Sequence, residues 1–399
     1  MKKYVVFASL LVAGLVLFTT NSCRKNIPST GIAYAQTPNL PAVPYPYLAK
    51  NGVDSNVATL GRVLFYDRRL SANQAVSCGS CHKQSIAFAD NVSFSQGYDG
   101  RKTLRNTLPI QNINGFRAVD QGGNGMPDLN NQIFLTLFWD GRQKNLSNMV
   151  MNPVNNHIEM SMDDMNSLCA RLQQTSFYPD LFLKAFGSST VTKENIAFAI
   201  EAFVQCLQSH HSRFDQSISL NGSTPRPLTA QEQLGFNLFT GKYNCNNCHH
   251  ISNGGYFDQQ LNEFANIGLD INYADNGVGS LTGNASDNGV FRVPSLRNVE
   301  LTAPYMHDGR YQTLGEVIDH YSEGIQPNRN LSFVFRDLSP YVDSTTGIID
   351  TAGFYNGPVF PLQLHVVDSD KQALLAFLKT LTDYDFVTNP MYSDPFVKP

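Results

Sequence analysis

Two five-residue stretches carry the most specific chemistry in this 399-residue chain: Cys78-Gly79-Ser80-Cys81-His82 and Cys245-Asn246-Asn247-Cys248-His249. In each, two thiols stand three positions apart and an imidazole follows directly. That spacing is the attachment pattern of a c-type haem, in which the thiols add to the two vinyl groups of one porphyrin and the histidine ligates the iron. Zinc is disfavoured because neither set has a well-spaced fourth ligand. A redox dithiol would not need the histidine in both copies. Two covalently attached haems are therefore expected, one at Cys78, Cys81 and His82 and one at Cys245, Cys248 and His249. Of the remaining cysteines, Cys169 and Cys206 fall in helical patterns. They are placed either to pair in an oxidising compartment or to sit as two small buried thiols.

The elements that must hold these motifs recur in the same order. Leu60-Gly61-x-x-Leu64-Phe65 precedes the first motif, and Leu234-Gly235-x-x-Leu238-Phe239 precedes the second. Each fits a short amphipathic helix, the second opened by a capping box from Thr229 to Glu232. Downstream, Phe138-Trp139-Asp140-Gly141-Arg142 is echoed by Met306-His307-Asp308-Gly309-Arg310, and Leu146 by Leu314. The pattern predicts a mostly α fold of two cytochrome-c-like haem domains related by internal duplication. A long helix is expected from Thr192 to about His211, with Ile196, Ile200, Phe203, Val204 and Leu207 on one face. Gly and two Pro between Asn221 and Pro227 mark a boundary, and a final helix is expected over Asp370 to Leu381.

The repeat separates the roles of the two haems. Eleven residues past Arg142 stands Pro153, and eleven past Arg310 stands Tyr321. If the units are equivalent, both positions lie over their haems. Proline cannot ligate iron, whereas a tyrosine oxygen can. The first haem is then open for chemistry and the second closed for electron transfer. Met306, His307 and His320 compete with Tyr321. The counterparts of Met306 and His307 are the non-ligating Phe138 and Trp139, and His320 is one residue, about 100° on a helix, off register.

With these pieces the chain resembles the bacterial di-haem cytochrome c peroxidase family, including its MauG-like branch, from about Leu60 to Asp385. The resemblance rests on the two haem motifs with Arg105-Asn106-x-x-Pro109, Phe138 to Arg142, Pro153 leading to Glu159-Met160, Arg292 to Asn298, and Thr302 to Gly309. It implies a mostly helical fold, one haem per domain and a calcium ion between them. It also implies that Glu159 is the distal carboxylate of the peroxide-binding haem and that Trp139 lies between the haems. Asn106, with the backbone oxygens of Thr302 and Pro304, matches the calcium site. Three departures stand out. Gln96-Gly97-Tyr98-Asp99-Gly100 lacks the histidine that ordinary members place there; Tyr321 replaces their methionine; and Met149 replaces the glutamine of the MauG-like branch. His157, His210, His211, His250, His320 and His365 have no motif role.

The function expected is reduction of hydrogen peroxide to water with electrons from an external donor, a small cytochrome or cupredoxin. Peroxide would bind at the iron of His82, Glu159 would shuttle its proton, and electrons would cross from the haem of His249 by way of Trp139. The alternatives are MauG-like, peroxide-dependent oxidation of a partner protein and a non-catalytic electron carrier; Glu159 beside an open haem argues against the carrier. The segment from Gln326 to Pro361 reads as an insertion that could form a docking surface.

Lys2 and Lys3, then an apolar run from Tyr4 to Phe18 and a small residue before Cys23, read as an export signal of the lipoprotein type. The run is short for a membrane span. The expected organisation is a signal peptide over 1–22, a lipidated tether over 23–46, a peroxidatic haem domain over 47–220 and an electron-transfer haem domain over 221–399. The protein would then be exported, periplasmic or in the cell envelope, and would meet the membrane only through a lipid on Cys23. A formal charge of -4 and the lack of a Lys/Arg cluster argue against nucleic acid as a partner.

Overall fold

The computed structural model describes residues 37–40, 54–113, 137–218, 225–251 and 264–396; Cys23 and the N-terminal signal expected from the sequence lie outside them. The described chain is mostly helical, and its one sheet is a two-stranded antiparallel pair, β1 (Phe264–Ala265) and β2 (Phe291–Arg292). The helices that frame the two haem motifs are α1 (Ser55–Tyr66), α2 (Leu146–Asn155), α3 (Lys193–Cys206), α4 (Ala230–Asn237), α5 (Leu314–Asp319) and α6 (Asp368–Lys379). No helix among the described residues is long and apolar enough to cross a membrane.

Helix starts follow the local chemistry. Thr229 and Glu232 exchange both bonds of the expected capping box at α4 (Thr229 N to Glu232 Oε2, 2.7 Å; Glu232 N to Thr229 Oγ1, 3.3 Å). Thr313 and Glu316 do the same at α5. Helix ends are set by distant residues. α3 stops at Cys206 rather than near His211, because Asn112 takes over the backbone beyond it. The Asn112 amide donates to the Leu207 carbonyl (2.8 Å), and its side chain bonds the Ser209 carbonyl (3.0 Å) and N–H (2.8 Å). α6 starts two residues before the expected Asp370 and ends at Lys379.

The same packing occurs in both halves. α1 lies so close to α3 that a Cβ on Gly61 would fall 1.8 Å from the Ala199 carbonyl oxygen and 2.9 Å from Phe203 Cβ. α4 meets α6 the same way: a Cβ on Gly235 would fall 2.0 Å from the Ala373 oxygen and 2.7 Å from Phe377 Cβ. The Asp-Gly-Arg loops also match. Leu137 N bonds Gln143 O and Tyr305 N bonds Tyr311 O, both at 2.7 Å. Arg142 N and Arg310 N each donate to the preceding aspartate at 3.2 Å.

Gly235→Ala is therefore expected to destabilise the protein by ~1–3 kcal/mol, the usual scale for overpacking, read as a lower denaturant midpoint. Gly241→Ala is the control, since nothing lies within 4 Å of a Cβ there. Equal midpoints for the two variants would mean that the helices separate freely.

Two apolar clusters form. The first joins α1, α2 and α3 with Phe88, Tyr178 and Phe182, and also takes in Phe386, Val387, Tyr392 and Phe396 from the C-terminal end. The second joins Phe239, Leu314, Ile318, Leu374 and Phe377, and includes Phe214 from just after α3. A buried Arg297–Asp215 pair (2.8 and 2.9 Å) ties Phe214's turn to the second half. Cys169 and Cys206 are free thiols; Cys206 is buried and donates to the Ala202 carbonyl.

Candidate functional site

The first motif forms a single helical turn, Cys78–Cys81, directly after the buried Ser77. His82 closes it, and its Nδ1 lies 2.8 Å from the Phe88 carbonyl oxygen. A carbonyl only accepts, so Nδ1 carries the proton and Nε2 is left as the nitrogen able to bind a metal. Burial lowers the imidazole's pKa and keeps it in the neutral, ligating form.

The second motif repeats this with a different partner. His249 Nδ1 lies 3.1 Å from the Pro294 carbonyl oxygen, and burial lowers its pKa to about 4. The thiols are held neutral: burial pushes Cys78 up to about 12, and Cys81 and Cys245 up to about 11. Redox-active C-x-x-C pairs have the opposite shift on the attacking thiol.

A cavity opens at the first motif. Its lining includes Cys78, Cys81, His82, Met149, Pro153 and Glu159. Pro153 and Met149 are four apart on α2 and therefore share a face. His82 is the one imidazole in the lining; Met149 and Met160 also line it, while Pro153 has no side-chain donor for iron. Glu159 receives an amide hydrogen bond from Asn156 Nδ2 to its Oε1 (2.9 Å). Burial raises its carboxyl pKa, and the more distant Arg142 only partly opposes this.

Gln96 lines the same cavity, in the segment that lacks a histidine. That segment runs against Glu159: Tyr98 N donates to the Glu159 carbonyl (2.8 Å), and a Cβ on Gly97 would fall 1.6 Å from the Ile158 oxygen. The sequence reading noted only what was absent from this stretch. The glycine that permits such close approach was the available signal.

Tyr321 follows α5 in a wider turn, His320–Gly324. Its phenol is raised by burial first, and further by the nearby Cys245 and Cys248, so the register does bring it to the second motif. Its ring stacks on Phe335 at 5.8 Å. The competitors are engaged elsewhere. His320 Nε2 bonds the Ile267 carbonyl (2.9 Å), and its Nδ1 lies 3.3 Å from the Tyr311 hydroxyl. His307 stacks flat on Phe291 at 3.8 Å and meets Trp139 edge-on at 6.5 Å.

Trp139 is buried in the seam between the halves. Its Nε1 donates to the Asn106 carbonyl (2.8 Å), and its own carbonyl accepts from Arg292 N (2.8 Å). Arg105 spans the same seam, bonding Asp140 (2.5 Å) and Asp275 (2.6 and 2.8 Å). Asn106 N donates to the His307 carbonyl (2.7 Å), which brings Asn106 to the Thr302–His307 segment. The Asn106 amide nitrogen is turned toward Val92 and Ser93. Its Oδ1 and the Thr302 and Pro304 carbonyls accept no hydrogen bond among the described residues. Such free oxygens suit a hard cation. Among the described residues no cluster of three or more His, Cys, Asp or Glu side chains could hold a metal.

The family model described as di-haem cytochrome c peroxidase matches residues 55–223. Cytochrome c551 peroxidase of Nitrosomonas europaea is 33% identical over 72% of this chain and 78% of its own. Methylamine utilization protein MauG of Methylorubrum extorquens is 31% identical over 75% and 76%. A solved MauG-like protein associated with microbial copper homeostasis superposes with a TM-score of 0.67 and 32% identity, over 93% of this chain and 99% of that one. The chain therefore belongs to the di-haem cytochrome c peroxidase family, MauG-like proteins included, a family of peroxidase-like oxidoreductases with two c-type haems.

Proposed function

We propose that this protein is a di-haem c-type peroxidase that reduces hydrogen peroxide to water with electrons from an external donor protein. The observation that carries the reading is the cavity shared by His82, Pro153 and Glu159. Haem iron with an open position supplies the site for peroxide and the electrons for cleaving its O–O bond. The chain's own residues do the rest. His82 would hold the iron through Nε2, Pro153 offers no donor atom that could ligate it, and the apolar lining excludes water. Glu159 takes the proton from the near peroxide oxygen and delivers it to the far one, so that water can leave. Asn156 orients that carboxyl. Trp139 carries electrons between the two centres. Tyr321 would ligate the second iron, and Asn106 with the carbonyls of Thr302 and Pro304 would hold a calcium ion in the seam. The two halves are read as products of an internal duplication, the peroxidatic domain over 47–220 and the electron-transfer domain over 221–399. The N-terminus is read as an export signal with a lipid at Cys23.

A second reading, MauG-like oxidation of a partner protein, is favoured by Tyr321 standing where ordinary members have methionine. The two readings separate on the electron source. The holoprotein is expected to carry two covalent haems and one calcium per chain, by intact mass and elemental analysis, and to consume peroxide with a reduced small cytochrome or cupredoxin. Consumption that proceeds only as a partner protein is oxidised would move the assignment to the second reading. One haem, or none, would sink both.

A further inference from the structure

Arg292 is a buried cation with no anion to meet it. It is 7% exposed, and its one side-chain hydrogen bond among the described residues runs from Nε to the Phe138 carbonyl at 3.1 Å. Of the other buried or seam arginines, Arg297 clamps Asp215 with both terminal nitrogens and Arg105 holds Asp140 and Asp275, while Arg62 meets neutral oxygens of Ser393 and Pro390 through both Nε and Nη2. At Arg292 burial alone acts on the guanidinium and lowers its pKa to about 10, with no acidic neighbour to offset it. A buried charge left this way is strongly unfavourable, so the finished protein must bring a negative group to it.

Its place in the chain points to the source. Arg292 N donates to the Trp139 carbonyl (2.8 Å), and two residues on, the Pro294 carbonyl accepts from His249 Nδ1 (3.1 Å). In extended backbone, two residues span ~7 Å. The guanidinium, on its long side chain, is thus within reach of the edge of a porphyrin whose iron sits on His249. A porphyrin of this type carries two carboxylates on one edge, and a guanidinium pairs with a carboxylate through two parallel bonds.

We propose that Arg292 binds a carboxylate of the haem attached at Cys245 and Cys248, and by its charge raises the potential of that haem. This rests on the reading that the chain carries two haems. Removing the cation favours ferric iron, which lowers the midpoint potential. It also frees the carboxyl to titrate, so the potential gains a dependence on pH.

The test compares Arg292→Gln, which keeps a donor for the Phe138 carbonyl without the charge, with Arg292→Lys, which keeps the charge. Haem count is measured first, then the midpoint potential of each haem by spectroelectrochemistry across a pH series. In Arg292→Gln the second haem is expected to shift downward and become pH-dependent near neutrality, with the first unchanged and with Arg292→Lys restoring most of the wild-type behaviour. A wild-type second-haem potential and pH profile in the Gln variant overturns the proposal. So does a shift confined to the first haem, or a Lys variant as damaged as the Gln one. A wild-type protein with a single haem removes the two-haem reading, and this proposal with it.

Discussion

Glu159→Gln is expected to keep both haems and to lose peroxide turnover by at least ~10²-fold, the usual scale for a positioned acid–base group. The amide nearly matches the carboxyl in size and can still accept from Asn156 Nδ2, so the cavity should keep its shape. What it cannot do is take up a proton and release it. The raised carboxyl pKa sets the sign of the pH dependence. The ionised form must accept the first proton, so turnover should fall as pH drops through a value above the ordinary ~4.3 of a glutamate. That acidic limb should be missing from whatever activity the Gln variant retains. Stopped-flow peroxide consumption across a pH series reads both effects. Wild-type turnover in the variant would rule Glu159 out.

Tyr321→Phe should change the second haem as strongly as Glu159→Gln changes the first. Removing one oxygen deletes the ligand while the ring stacked on Phe335 remains. His320 is held by the Ile267 carbonyl and the Tyr311 hydroxyl, so no neighbouring imidazole is free to replace it. The ferric spectrum and spin state of that haem should change, and its midpoint potential should rise, since a phenolate is an anionic donor that stabilises ferric iron. The first haem's spectrum should stay as it was. If the second haem's spectrum is unchanged, Tyr321 is not the ligand, and His320→Ala becomes the next variant to make.

Much of the site could be read along the chain, because its chemistry depends on local spacing. Two thiols and an imidazole within five residues define each haem motif whatever surrounds them. The register past Asp-Gly-Arg was also readable: counting eleven residues reaches Pro153 in one half and Tyr321 in the other, and the fold brings the first to the His82 cavity and the second to Cys245 and Cys248. Capping at Thr229 is local for the same reason, since its partner is three residues away.

Other features depended on partners far away in sequence. α3 ends at Cys206 because Asn112, almost a hundred residues earlier, takes the next backbone groups. Phe386, Val387, Tyr392 and Phe396 return to the first apolar cluster, although they follow the last helix of the second. Gln96 enters the first cavity because Gly97 lets its strand lie against Ile158. Residue types and their periodicity determined that this is a helical chain with two haem motifs. Only the tertiary structure decided that Glu159 is desolvated beside the first motif, that both nitrogens of His320 are taken, and that Arg292 is buried without an anion. Burial and pairing belong to groups brought together from distant parts of the chain, and spacing along the sequence does not encode them.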